Sequence, residues 1–117
     1  MPQITVDYSD SLADAFDRRG FALALHPLVA DIVDTRLAAC KTRFRRTDDT
    51  VVADEATGHA LVHIGIALLP GRTPEVKAKL SAAALDLVAQ YVRPADGTAE
   101  PHLSAEVRDL EASYVKR

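Results

Sequence analysis

Residues 60–69, Ala-Leu-Val-His-Ile-Gly-Ile-Ala-Leu-Leu, form the most apolar run in the chain. A run of this length and composition suits a central strand with both faces covered. Pro70-Gly71-Arg72 breaks it. Thr73-Pro74-Glu75 then reads as a helix start, with Thr73 as N-cap and Pro74 at the first helical position. Val76, Leu80, Ala83, Leu87 and Tyr91 recur at helical spacing, which predicts a helix to about residue 92. Residues 93–101 are rich in Pro, Gly and Ala and read as a loop. A last strand over about 102–110 turns Leu103, Ala105 and Val107 to one face, and His102, Ser104, Glu106 and Arg108 to the other.

The first half repeats this order. A strand over about 3–8 separates Ile4, Val6 and Tyr8 from Gln3, Thr5 and Asp7. Ser9 to Asp17 is a short polar passage. Phe21, Leu25, Leu28 and Ile32 predict a helix over about 18–33, which Pro27 should kink or divide. A strand over about 40–46 alternates Cys40, Thr42 and Phe44 with Lys41, Arg43 and Arg45. Val51-Val52 reads as a brief extra strand, and 54–58 as a loop.

Strand–helix–strand therefore occurs twice, in halves of about 1–58 and 59–117, and each pair of strands joined by a helical crossover is expected to be parallel. The expected fold is α+β: duplicated β-α-β units forming a four-stranded mixed sheet, with two helices on one face. The other face collects Thr5, Asp7, Lys41, Arg43, Arg45, His63, Gly65, Ser104, Glu106 and Arg108. Such a face is either solvated or buried against copies of itself with its polar groups paired. Gly65 and Ala67 are too small to fill a core there, which favours an oligomer.

A chain of 117 residues makes one domain with one core. Its net charge of −3 gives no global reason to expect nucleic acid or an anionic membrane as partner. Three tyrosines, three phenylalanines and no tryptophan offer little surface for stacking bases. No apolar stretch is long enough for a membrane span and no signal-peptide pattern precedes the first strand, so a cytoplasmic location is expected. The single cysteine, Cys40, excludes an internal disulfide and any cysteine-based metal site. It reads most simply as a small core residue.

Met1-Pro2 opens directly into the first strand. Removal of Met1 would leave Pro2 as a secondary amine held at a strand end. An α-amino group titrates at about 7.7–8.0, and desolvation or nearby cations lower that value, so such an amine suits proton transfer next to a carbonyl. With Met1 retained, the Pro2 nitrogen is an amide and is no base.

The Met-Pro strand, the duplicated β-α-β plan, the basic strand Lys41-Thr42-Arg43, and Val62-His63-Ile64 leading to Pro-Gly-Arg-Thr at 70–73 together resemble the tautomerase superfamily. Within it the chain is similar to the 5-carboxymethyl-2-hydroxymuconate isomerases of homoprotocatechuate breakdown. The resemblance covers essentially the whole chain. It implies a homotrimer with sheets wrapped into a central barrel and sites near subunit boundaries. It also implies cofactor-free proton transfer by Pro2 on a small, unsaturated, anionic acid. By the same resemblance Arg72 is catalytic and binds substrate, and Lys41 and Arg43 bind its carboxylates. The family usually has arginine where Lys41 stands, and lysine offers a point charge rather than a fork.

The chemistry suits these residue types. A polyanion needs converging cations, and a guanidinium binds a carboxylate bidentately while stabilising a forming dienolate. Arg72 precedes a helix, where backbone N–H groups add positive potential. Plainer readings stand beside these. Lys41, Arg43 and Arg45 also read as an exposed basic edge strand, Arg72 as a loop arginine, and His63 as a hydrogen-bonded structural residue. Asp7 and Glu106 are available as a carboxylate pair, while His26, His59 and His102 are too scattered to argue as metal ligands. Two other functions fit the scaffold: a hydratase or dehalogenase of unsaturated acids using protonated Pro2 as an acid, and a non-catalytic ligand-binding trimer.

Overall fold

A computed structural model describes the whole chain, Met1–Arg117. Six main elements follow one another: β1 (Gln3–Ser9), α1 (Arg18–Val33), β2 (Lys41–Thr47), β3 (Leu61–Leu68), α2 (Pro74–Val88) and β4 (His102–Asp109). Single 3₁₀ turns at Asp10–Leu12 and Leu37–Ala39 lie between them. The strands form one sheet in the order β2-β1-β3-β4. β1 runs parallel to β2, with Gln3 beside Lys41, and antiparallel to β3, with Thr5 beside Gly65. β3 runs parallel to β4, with Leu61 beside His102. This is the mixed α+β sheet expected from the sequence.

Both helices cover one face. Ile4, Val6 and Tyr8 of β1 and Val62, Ile64, Ile66 and Leu68 of β3 join a single buried cluster. Phe21, Leu25, Val29 and Val33 come from α1, and Leu80, Ala84 and Val88 from α2. Each helix thus contributes an unbroken i, i+4 row. Every fully buried aliphatic side chain of this kind is worth about 1.5–3 kcal/mol of transfer free energy. Leu28 and Ile32 flank the row in α1 instead of leading it, as does Leu87 in α2, where Val76 begins the row half-buried.

Several expectations need correction. Pro27 lies inside α1 without ending it. It removes the N–H that would bond to the Leu23 carbonyl, but Leu23 is 75% exposed and Pro27 is also exposed, so water can serve the orphan group. The passage Ser9–Asp17 is not merely polar, because Leu12 and Phe16 are buried and Phe16 meets the rings of Tyr8, Phe21 and Phe44. α2 ends at Val88 rather than near 92. The chain leaves it through a turn to pair Phe16 with Val92, with Asp17 N–H donating to the Tyr91 carbonyl at 2.9 Å. Val51-Val52 makes no strand; Val52 only closes a bridge with Glu55.

β3 is central, yet in a single chain only one of its faces is covered. Its other side looks onto an open concavity of about 750 Å³, lined among others by Thr5, Asp7, Arg45, His63, Gly65 and Glu106. No helix is long and apolar enough to cross a membrane.

Candidate active site

Strand directions decide where the functional side chains meet. β1 and β2 begin, and β3 and β4 end, at the same end of the sheet. The loop carrying Arg72 follows β3, so it returns to the start of β1. Pro2 is buried there, its carbonyl accepting from the Lys41 N–H at 3.4 Å. The helix start after Arg72 is capped as expected, Thr73 Oγ1 accepting from the Val76 N–H at 3.2 Å.

The Arg72 guanidinium bridges two elements. Its Nε and Nη2 donate to the Val33 carbonyl at 3.2 and 2.9 Å. A cation is thereby set against the negative end of α1, while the N-terminus of α2 begins two residues on. Three of its five N–H groups stay free for an anion. Lys41 Nζ reaches Met1 Sδ at 3.5 Å and the Ala39 carbonyl at 3.4 Å.

These charges act on the amino end. The Met1 amine is held below its ordinary value, first by burial and then by the positive charges of Arg72, Lys116 and Lys41. A charged Cys40 would pull the other way. Burial pushes that thiol up, however, and so keeps it neutral near neutral pH.

Arg43 sits two residues further along β2 than Lys41 and faces the concavity, where Nη2 donates to Gln3 Oε1 at 2.9 Å. The structure thus gathers Pro2, Lys41 and Arg72 at one end, with Arg43 beside them on the open face. None of these three cations has a carboxylate partner. The neighbouring basic residues do: Arg45 is bound by Asp7 at 2.7 Å and Arg46 by Asp10 at 3.2 Å. Asp7 is therefore engaged by Arg45 and not by Glu106. His63 is hydrogen-bonded to Ser104 at 2.6 Å, as its structural reading expects.

Two features were missed by reasoning from sequence. The tail after β4 reaches the same end, bringing Tyr114 and Lys116 with it; the signal available was the parallel pairing of the last two strands. At the opposite end His59 and His102, far apart in sequence, lie 3.2 Å apart, with Glu55 on the far side of His59 at 3.0 Å. No group of three or more His, Cys, Asp or Glu side chains is placed to hold a metal ion.

Comparison with known proteins adds to this geometry. The chain aligns with the crystal structure of a 5-carboxymethyl-2-hydroxymuconate isomerase from Deinococcus radiodurans R1 at 22% identity and a TM-score of 0.81, covering 99% of this chain and 88% of that one. A fused 4-OT symmetric trimer aligns at 19% identity and a TM-score of 0.74, covering 97% and 89%. N1, a member of the cis-3-chloroacrylic acid dehalogenase family, aligns at 18% identity and a TM-score of 0.66, covering 98% and 79%. At these identities the likeness shows the shared fold. No curated protein matches the chain. The family model described as 5-carboxymethyl-2-hydroxymuconate isomerase matches residues 2–117. With its fold and nearly its whole length accounted for, the chain belongs to the 5-carboxymethyl-2-hydroxymuconate isomerase family and is an isomerase of the tautomerase type.

Proposed function

We propose that the protein converts a 2-hydroxymuconate-type dienol acid, with 5-carboxymethyl-2-hydroxymuconate as the leading candidate, to its unsaturated 2-keto isomer, using Pro2 as general base after Met1 is removed. The observation that carries this reading is the set of carboxylate-free cations at a buried amino end. A polyanionic substrate neutralises them, and they in turn favour the neutral form of an amine held beside them.

In this reading the Pro2 nitrogen takes the 2-hydroxyl proton. The O–H bond breaks, the carbon–oxygen double bond forms, and the electron pair moves along the diene. The prolinium then returns a proton to carbon, so nothing is gained or lost overall. Arg72 holds a carboxylate with its free N–H groups and stabilises the dienolate, while Lys41 and Arg43 bind carboxylates. A homotrimer and a cytoplasmic location are parts of the same proposal. The trimer would enclose the open sheet face. Acid catalysis by a protonated Pro2, as a hydratase or dehalogenase would need, asks for a raised amine, and the cations act in the opposite direction.

The test is ultraviolet-monitored ketonisation of 5-carboxymethyl-2-hydroxymuconate by protein whose intact mass shows Met1 removed. Turnover well above the buffer reaction is expected. kcat/KM should rise with pH through one ionisation lying below the ordinary α-amine range of about 7.7–8.0, because only the neutral amine accepts the proton. A flat profile, or no turnover of either this acid or 2-hydroxymuconate, rejects the reading.

A further inference from the structure

The C-terminal tail is not a loose end. Its first residue continues the β3–β4 pairing, Leu110 N–H donating to the Leu68 carbonyl at 2.6 Å. A turn follows in which the Ser113 N–H is bound by the Glu111 carboxylate and the Tyr114 N–H donates to the Glu111 carbonyl at 3.0 Å. That turn sends the chain back over the start of β1. There Gln3 Nε2 donates to Tyr114 Oη at 3.2 Å, and the other side of the same amide receives Arg43. Tyr114 is half-buried while the rest of residues 111–117 is exposed, so this ring is the tail's anchor.

The open face records the cover. Ala67, the β3 partner of Gln3, is 4% exposed, whereas Gly65 and His63 on the same face remain half-exposed. Lys116 lines the concavity together with Gln3, Arg43 and Tyr114. It has no carboxylate partner, and its charge reaches the amino end alongside Arg72. It is thus the one lysine or arginine that both lines the concavity and acts on the amino end.

We propose that residues 110–117 form a wall of the substrate site, in which Lys116 binds one carboxylate of a polyanionic substrate and Tyr114, acting through Gln3, is a positioning residue for Arg43. This rests on the isomerase reading with Pro2 as base. It adds a source of selectivity: a substrate with a third carboxylate has a cation to meet that a dicarboxylate leaves unused.

The experiment compares Lys116→Gln and Tyr114→Phe with the unsubstituted protein, all with Met1 removed, on 5-carboxymethyl-2-hydroxymuconate and on the dicarboxylate 2-hydroxymuconate. Lys116→Gln should lower kcat/KM about threefold to fivefold on the tricarboxylate, mainly through KM, and less on the dicarboxylate. Tyr114→Phe should raise KM with kcat kept. In parallel, the Pro2 amine is titrated by nitrogen-15 NMR, and its midpoint should move up in Lys116→Gln because a nearby cation is lost. Equal kinetics on both substrates with an unmoved amine overturns the tail's role. Should the unsubstituted protein turn over neither acid, the isomerase reading fails separately, and the amine titration alone then decides whether Lys116 belongs to the site.

Discussion

Arg72 answers two demands at once, and its substitution separates them. Arg72→Ala should remove the partner of the Val33 carbonyl and lower stability by about 1–2 kcal/mol, measured as a shift of the urea midpoint. It should also cut kcat/KM on the polyanionic acid by about 10²-fold. Arg72→Lys restores a charge but not a fork, so it should recover more stability than activity. Kinetic parameters unchanged in Arg72→Ala would reduce the residue to a helix cap. For Pro2→Ala, circular dichroism should show an intact fold while isomerisation falls by about 10²-fold or more; full activity, with Met1 removed, would end the base assignment. The position of Arg72 before a capped helix was legible in the sequence, because Thr73-Pro74 marks that helix start unambiguously. Its hold on Val33, 39 residues away in the chain, was not, since no local pattern encodes which carbonyl lies across a crossover. Lys116 was invisible for the same reason.

Among the elements, α1 carries the most local conflict. Pro27 stands in its interior, and Asp34 closes it in the left-handed region at φ 53°. Asp34→Gly should therefore raise stability by about 0.5–1 kcal/mol, read from chemical denaturation, because glycine adopts that conformation without a Cβ penalty. The helix is also tied to β2 through His26 Nε2 and Thr42 Oγ1 at 2.7 Å. Burial holds the His26 imidazole below its ordinary value, so the unfolded chain takes up a proton at higher pH than the folded one. Stability from this residue is complete above about pH 6.5 and is lost as pH falls through the folded value. A denaturation series across that range should show the decline, and His26→Gln should flatten it. Periodicity revealed α1 despite Pro27, since four turns of core contact outweigh one missing bond on the wet side. The burial of Leu12 and Phe16 escaped notice because a single 3₁₀ turn has too few residues to show a period.

For the whole molecule, the open sheet face is the unfinished part. A Cβ built on Gly65 meets only the Thr5 carbonyl at 3.8 Å, an ordinary contact, so nothing within one chain requires glycine there. If copies of the chain pack on this face, Gly65→Leu should leave the subunit folded and shift the sedimentation coefficient toward the monomer. An unshifted trimer would move the interface elsewhere. The parallel pairing within each half was readable from the two crossovers, but the order of the four strands and what covers the second face were not, because alternation separates the faces without naming their partners. The central position of β1 has a consequence for maturation. Both its partners, Lys41–Thr47 and Leu61–Leu68, follow it in the chain, so its two edges are paired only once β3 is in place. Once they close on it, Pro2 is buried while Met1 stays partly exposed. Where Pro2 serves as the base, Met1 is therefore expected to be removed more readily before β3 pairs than after, and intact masses of chains exposed to methionine aminopeptidase while unfolded and once folded would show the difference.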